Sequence, residues 1–313
     1  MTKVAPVRTG VLVWNQYTDW PAMRGAAITA DRLGYDSLWT WDHLYPIVGS
    51  AEGPILEGYM MLAGWSQVTT NATLGLLVGA NTFRNPGLVV KLVTALDHLS
   101  VGRAVLGLGA AWFETEHTAF GIDFGRSVGE RLDWMDEAVE LIHGMLRAPS
   151  ATARGDHYHA VDVRNDPPPL QVHLPILIGG SGERKTLRTI ARFADAWNVA
   201  NVTPEEAAHK DAVLRRWCDD LGRDPDEIER TVSLGPLAIR DDPADAARLI
   251  ASYQDRNRDM SRPVLTGSAE QIAERAREYV ALGFRHVIYH LVPPYDDETL
   301  VRFATEVRPA LEA

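Results

Sequence analysis

Short runs of β-branched and apolar residues alternate along the whole chain with longer stretches whose apolar positions recur at helical spacing. Residues 7–13 read as a first strand. Residues 20–33 follow as a helix, because Ala26, Ala27, Ala30 and Leu33 share a face and Gly34 can close it. Residues 37–40 read as a second strand, 58–69 as a helix and 73–79 as a third strand. Pro86 opens the next helix, which Leu88, Val89, Leu92, Leu96 and Leu99 carry to a stop before Gly102. A fourth strand at 103–108 and a helix at 128–146 complete this half.

The alternation breaks at about residues 148–174, where Pro149, Gly155, His157-Tyr158-His159 and Pro167-Pro168-Pro169 leave no apolar period long enough for a helix. A short hairpin and a loop fit this excursion. Regularity returns with a fifth strand at 175–179, a helix at 183–193 and a sixth strand at 196–200. Thr203-Pro204-Glu205-Glu206 has the spacing of a capping box and starts the next helix. A seventh strand (231–239), helices near 243–253 and 269–282, an eighth strand (286–291) and a last helix near 297–307 follow. Eight strands, each followed by a helix, predict an α/β fold of the (β/α)8 TIM-barrel class, one domain over 1–313 with an insertion after strand four. An open doubly wound sheet is the competitor, and Gly10 to Trp14 offers none of the early glycine fingerprint it needs.

Composition narrows the partners. With 46% hydrophobic and 23% charged residues the chain is an ordinary globular one, and 42 acids against 31 bases give a net charge of -11. That charge repels phosphate backbones and anionic lipid, so no nucleic acid and no membrane is expected, and the partner is a small molecule. The single cysteine, Cys218, cannot form an internal disulfide, residues 1–6 lack a leader pattern, and no apolar run approaches the ~20 residues of a membrane span. A soluble cytoplasmic protein is the expectation.

In a TIM barrel the chemistry gathers at the C-terminal ends of the strands. Those ends carry Trp14-Asn15-Gln16, Trp41-Asp42-His43, Val78-Gly79-Ala80-Asn81, Gly107 to Trp112, Ile178 to Gly182, Asn198 to Asn201 and His290. Gly179-Gly180-Ser181-Gly182 runs from a strand into a helix start, where backbone N–H groups, the helix dipole and Arg184 or Lys185 could hold a phosphate; a plain tight turn is the other reading. It is neither a Walker loop nor a dinucleotide fingerprint. Gly107-Leu108-Gly109 reads either as a flat slot for a planar ring or as small residues fitting a narrow strand end. His43 beside Asp42 is a candidate proton donor or acceptor, although neighbours on a strand face opposite ways and a structural hydrogen-bonding role stays open. No metal is expected: His157-x-His159 sits in the insertion, and no His-Glu-x-x-His or cysteine cluster occurs. Ser181 lacks the Gly-x-Ser-x-Gly spacing of a hydrolase elbow.

Several segments together carry a resemblance: Asp36-Ser37-Leu38-Trp39 leading to Asp42-His43, Gly53 to Gly58, Thr82-Phe83-Arg84-Asn85-Pro86, and Leu96 to Arg103. Leu106 to Trp112 with Glu116-His117, Phe120-Gly121 and Arg131, Pro175 to Gly182, and Ala194 to Asn198 extend it. The chain resembles the luciferase-like (bacterial luciferase) superfamily of flavin- and deazaflavin-dependent oxidoreductases, most of all its branch that uses coenzyme F420. The resemblance implies a (β/α)8 barrel with an insertion after strand four and a cofactor ring lying across the strand ends. Leu77, Val78 and Gly79 match a dipeptide region that presses on the ring's back and is often in a non-proline cis bond. Asn15, His43, Val78, Gly79, Gly109 and Ala110 would meet the ring. Ile178, Gly179, Gly180, Ser181 and Gly182, with Ala200, Asn201 and Thr203 opposite, would hold the phosphate.

By the same resemblance His43, with Asp42, would manage the proton while the deazaflavin carries hydride. Some F420-dependent sugar-phosphate dehydrogenases have a glutamate where this chain has Trp112 and another acid near Asn15, so oxidation of a sugar phosphate is disfavoured. Trp14, Trp41, Tyr45 and Trp112 would instead line an aromatic substrate pocket, with packing at the barrel rim as their other reading. The implied function is F420-dependent hydride transfer to or from a small organic substrate. The alternatives are an FMN-dependent monooxygenase served by a separate reductase, and a non-catalytic flavin-binding barrel. A homodimer is the family's habit. An acidic chain that binds an anionic cofactor is expected to concentrate positive potential at residues 179–185.

Overall fold

The two periodicities of the sequence become two concentric layers in the structure, a computed structural model that describes residues 6–258 and 260–312. Residues 1–5, on which most of the leader reading falls, lie outside the described residues. The first half comprises β1 (Arg8–Val13), α1 (Trp20–Arg32), β2 (Ser37–Thr40), α2 (Gly58–Ser66), β3 (Thr73–Leu76), β4 (Gly79–Ala80), α3 (Pro86–Leu99), β5 (Ala104–Gly109), α4 (Glu114–Phe120) and α5 (Val128–Arg147). A hairpin, β6 (Ala151–Arg154) and β7 (His159–Val163), precedes β8 (Ile176–Gly179), α6 (Thr186–Phe193), β9 (Ala196–Ala200) and α7 (Pro204–Leu221). The chain finishes with β10 (Glu229–Ile239), α8 (Pro243–Arg256), β11 (Leu265–Gly267), α9 (Ala269–Ala281), β12 (His286–Leu291), α10 (Asp297–Arg302), a π-helical turn at Phe303–Val307 and α11 (Arg308–Glu312).

Strands β1, β2, β3, β5, β8, β9, β10 and β12 pair in parallel, and the β9–β10 and β12–β1 pairings close them into the expected (β/α)8 barrel. Period-two alternation splits their side chains between layers. Leu12, Leu177, Ala238 and Ile288 fill the barrel with Trp14 and Trp39, while Val11, Val13, Ile178, Val287 and Tyr289 face the helices.

The third strand breaks, which the reading of 73–79 as continuous missed. β3 pairs with β5 through Leu74 and Gly75, the chain steps aside across a cis Leu77–Val78 bond, and β4 resumes opposite Leu108 and Gly109. Gly107 makes the step possible, since a Cβ there would overlap the Leu76 carbonyl oxygen. The short α4 and β11 had no periodicity to announce them. The helix expected from 183 starts at Thr186, because residues before it form the glycine turn, and the expected last helix divides at the π turn.

Thr203 and Glu206 form the capping box read from the sequence, and Ser268 with Gln271 forms a second. The excursion at 148–174 contains the antiparallel β6–β7 hairpin. It is fastened to α5: Glu137 accepts the amides of Asp156, His157 and Tyr158, and the His157 ring stacks on Trp134 at 3.9 Å. No helix among the described residues is long and apolar enough to cross a membrane.

Candidate active site

A cavity of about 580 Å³ opens at the C-terminal ends of the barrel strands, within the usual size of small-molecule sites. Its floor is Val78, held between two glycines. A Cβ on Gly109 would come 2.7 Å from Val78 Cγ2, and one on Gly179 3.0 Å from Cγ1, so neither position tolerates a side chain without moving the floor. Packing against this one step of the third strand gives both Gly107 and Gly109 a reason to lack a side chain.

Asp42 secures that step. Its carboxylate takes both Arg84 Nη atoms at 2.7 and 2.9 Å and the Ala80 amide at 2.8 Å. Arg84 also reaches Glu57 at 2.8 Å and lies over the Tyr59 ring. The pairing of Asp42 with His43 therefore does not form: Asp42 lines the cavity with its lone pairs committed to Arg84 and β4.

His43 has a different carboxylate. Its Nδ1 lies 2.8 Å from Glu116 Oε1, and the other Glu116 oxygen accepts the amides of Leu44 (2.8 Å) and Tyr45 (3.4 Å). Glu116 is 1% exposed and cannot donate when ionised, so the proton on this contact belongs to Nδ1 and Nε2 is left for the cavity. Trp41 and Trp112 meet the imidazole edge-on at 6.3 and 5.7 Å. Glu116 stands in a seven-residue helix too short for apolar periodicity to reveal, with the left-handed Gly121 at its end as the one local signal.

The glycine turn after β8 is pinned from below. Trp197 Nε1 donates to the Gly180 carbonyl at 2.8 Å, and the Gly180 amide donates to the Asn198 carbonyl at 3.1 Å. Gly180 has φ +127°, a conformation that favours glycine. Ser181 and Thr186 hydroxyls, with Asn198, Ala200 and Asn201 across the turn, make a polar cradle open to the cavity. The positive potential expected here is not supplied by its basic residues. Lys185 turns away to Asp133 (2.6 Å) and the Gly129 carbonyl (3.0 Å), and Arg184 is exposed and does not line the cavity.

Of the residues read from the sequence, His43, Val78, Gly79, Gly109, Ala110, Gly179, Gly180, Ser181, Ala200, Asn201, Trp41 and Trp112 come together on the cavity wall. Five do not. Trp14 is fully buried and packs against Trp41 at 4.6 Å with the ring planes tilted by 32°. Asn15 spends its amide on the Trp41 and Leu56 carbonyls, fastening the loop after β2. Tyr45 packs against Phe120 outside the cavity, carried there by the Glu116 contact. Ile178 faces the helices by strand alternation, and the Gly182 carbonyl accepts from Leu187 at the start of α6. Thr203 serves as the N-cap of α7.

Sequence reasoning gave no role to Leu12, Ile47, Leu132, Met135, Ser233 or Arg262, all of which line the cavity. Leu12 and Ser233 come from β1 and β10, Leu132 and Met135 from α5, and Ile47 and Arg262 from loops, and only tertiary packing brings them to the mouth. His290 also lines it, and burial, with Arg262 beside it, pushes its pKa down to about 3, so the ring is neutral. Among the described residues no group of three or more His, Cys, Asp or Glu is placed to hold a metal ion.

Known proteins share this architecture. An F420-dependent glucose-6-phosphate dehydrogenase of Microbacterium testaceum (strain StLB037) is 27% identical to this chain, over 98% of each. The structure of an F420-dependent secondary alcohol dehydrogenase in complex with an F420-acetone adduct superposes with a TM-score of 0.81 at 17% identity, covering 99% of this chain and 100% of the other. That of a long-chain alkane monooxygenase (LadA) gives 0.81 at 16% identity, covering 99% and 92%. These two likenesses speak for the barrel. A family profile described as luciferase-like monooxygenase matches residues 6–259, and with that match the glycine-flanked floor and the histidine over it fall into place: the chain belongs to the luciferase-like monooxygenase family.

Proposed function

We propose that the protein is an F420-dependent oxidoreductase that moves a hydride between the deazaflavin and a small organic substrate. The observation that carries this reading is His43, oriented by Glu116 and presenting Nε2 to a cavity whose floor is one valine between two glycines. Side chains at Gly109 or Gly179 would displace Val78, so the two glycines keep in place the floor on which a ring would rest. The F420 dependence named for the Microbacterium relative, similar over nearly its whole length, supports the same choice.

In this reading Val78, Gly79, Gly109 and Ala110 support the ring. Gly179, Gly180, Ser181, Thr186, Asn198 and Asn201 hold the phosphate through amides and hydroxyls instead of a cation. When bound, the deazaflavin supplies or accepts the hydride. His43 Nε2 exchanges the proton on the substrate oxygen, and Glu116 keeps the imidazole in place and stabilises its protonated form. Trp41, Trp112, Leu132 and Met135 exclude water from the reacting carbon. Asp42 acts at a distance by holding β4.

The test is a titration of the purified protein with F420 and, separately, with FMN while tryptophan fluorescence is followed. Trp41 and Trp112 line the cavity, and a docked ring quenches them. Micromolar F420 binding is expected. A response to FMN alone would turn the assignment to an FMN-dependent monooxygenase, and silence with both would leave a barrel without this chemistry.

We further take the chain to be one cytoplasmic domain that pairs with a second copy. Its eight barrel strands, the first β1 and the last β12, close into one sheet. Cys218 is buried and free, and Met60, Leu88 and Leu99 stand exposed on α2 and α3. Sedimentation should give twice the chain mass of 34.6 kDa, and a species at the single mass would end the dimer assignment.

A further inference from the structure

We propose that Arg262 is a specificity residue that binds the carboxylate of a monoanionic substrate, on the part of the cavity wall next to His290. The proposal rests on the hydride-transfer reading for the role of His43, and on this chain's own cavity for the rest.

Among the described residues Arg262 is the only lysine or arginine on the cavity wall. Other arginines with little exposure have partners: Asp42 and Glu57 for Arg84, Asp211 for Arg230, Asp296 for Arg240, and backbone carbonyls for Arg103 and Arg131, which lack an ion pair. Arg262 has no hydrogen bond or ion pair with any of the described residues, and burial alone holds its guanidinium below the usual arginine range. A half-buried cation without a counterion is costly to keep, and a bound anion removes the cost.

A second group at this end also wants a partner. His290 is 5% exposed, lines the cavity, and its Nδ1 has no hydrogen-bond partner among the described residues. Held neutral, it keeps one N–H donor without adding charge, and Ser233 adds a hydroxyl to the same wall. One guanidinium with neutral donors balances one negative charge. A phosphate dianion would leave a charge uncompensated in a desolvated site, so the set selects carboxylates over phosphate esters.

The other end of the cavity fixes the orientation. On the His43 side Glu116 disfavours an anion, and Asp42 already holds Arg84, so no free cation stands there among the described residues. Both His43 and His290 meet Trp41 edge-on at ring separations of 6.3 Å, so the proton group and the donor beside Arg262 border the same indole. The substrate class is therefore a monocarboxylate with an alcohol or carbonyl carbon, and an apolar stretch between them that lies on Trp41.

The anchor is held firmly. Met260, two residues before Arg262, is buried in the barrel-top cluster. Asn257 is fully buried, accepts from Gln16 Nε2 at 3.2 Å, and donates to the Tyr253 and Pro293 carbonyls at 2.9 and 2.8 Å. Gln16 in turn binds Ile47 and Val48 of the loop after β2. Arg262 itself bonds none of the described residues, so R262Q should keep the fold, as a melting curve will check.

The test is calorimetric titration of cofactor-free protein with benzoate, its neutral analogue benzamide, and phenyl phosphate, and separately of the protein with F420. Benzoate should bind at least tenfold tighter than either analogue. R262Q should lose at least tenfold for benzoate alone with F420 affinity unchanged, and R262K should recover part of the loss. Equal benzoate binding by R262Q, tighter binding of phenyl phosphate, or a loss that falls on F420 overturns the proposal. Failure of F420 to bind while benzoate still depends on Arg262 would sink the cofactor reading and leave the anion site standing.

Discussion

Replacing His43 with alanine should leave F420 affinity nearly unchanged and lower turnover by roughly 10²- to 10⁴-fold, the usual range for removing a positioned acid–base group. The assay is F420 absorbance with whichever alcohol or carbonyl compound of a substrate panel the wild type turns over. His43 is on the wall of the cavity and its Nε2 bonds none of the described residues, so the ring's loss disturbs chemistry before folding. Glu116→Gln should cost less, about tenfold. A glutamine can still accept from Nδ1, but its amide would face the Leu44 N–H donor to donor. Unchanged turnover in His43→Ala would remove the histidine from the mechanism.

Gly107→Ala should be the most damaging single methyl in the barrel. Its Cβ would overlap the Leu76 carbonyl oxygen, and backbone on both sides is fixed by the β3–β5 and β4–β5 pairings. Overpacking of this kind costs about 3 kcal/mol where no flexible side chain can yield. Denaturant unfolding should register that loss, and F420 affinity should fall with it, because the step that seats Val78 is the part displaced. Gly25→Ala is the control: nothing lies within 4 Å of a Cβ there, it sits within α1, and stability should hold or rise slightly. Equal stability of Gly107→Ala and wild type would contradict the close approach.

The barrel was legible because eight strands and their helices each carry their own period, and because caps such as Thr203 and Glu206 are local. The glycine-rich mouth was legible for the same reason: strand ends are positions in a sequence. What was not legible is pairing at a distance. Asp42 and His43 are adjacent in sequence, yet the strand sends one to Arg84 and the other to Glu116, 73 residues on. Trp14 and Trp41 look alike as aromatics at strand ends, and only the packing of one against the other decides which meets the cavity. Lys185 read as a cation for the phosphate because its neighbour Asp133 lies on another helix. Arg262 left no trace in any period, since it precedes a three-residue strand in an irregular segment.

The contact between Gln16 and Asn257 has a consequence for inheritance. It joins residues 47–48, the turn after β1 and the segment leading to Arg262 at a single buried point. A loop transplanted from a relative on one side only would face an amide with no counterpart, so these segments should travel together whenever substrate preference is altered by recombination. Divergence of preference in this scaffold is then a matter of paired exchanges, with the Gln16–Asn257 contact as the joint across which they must match.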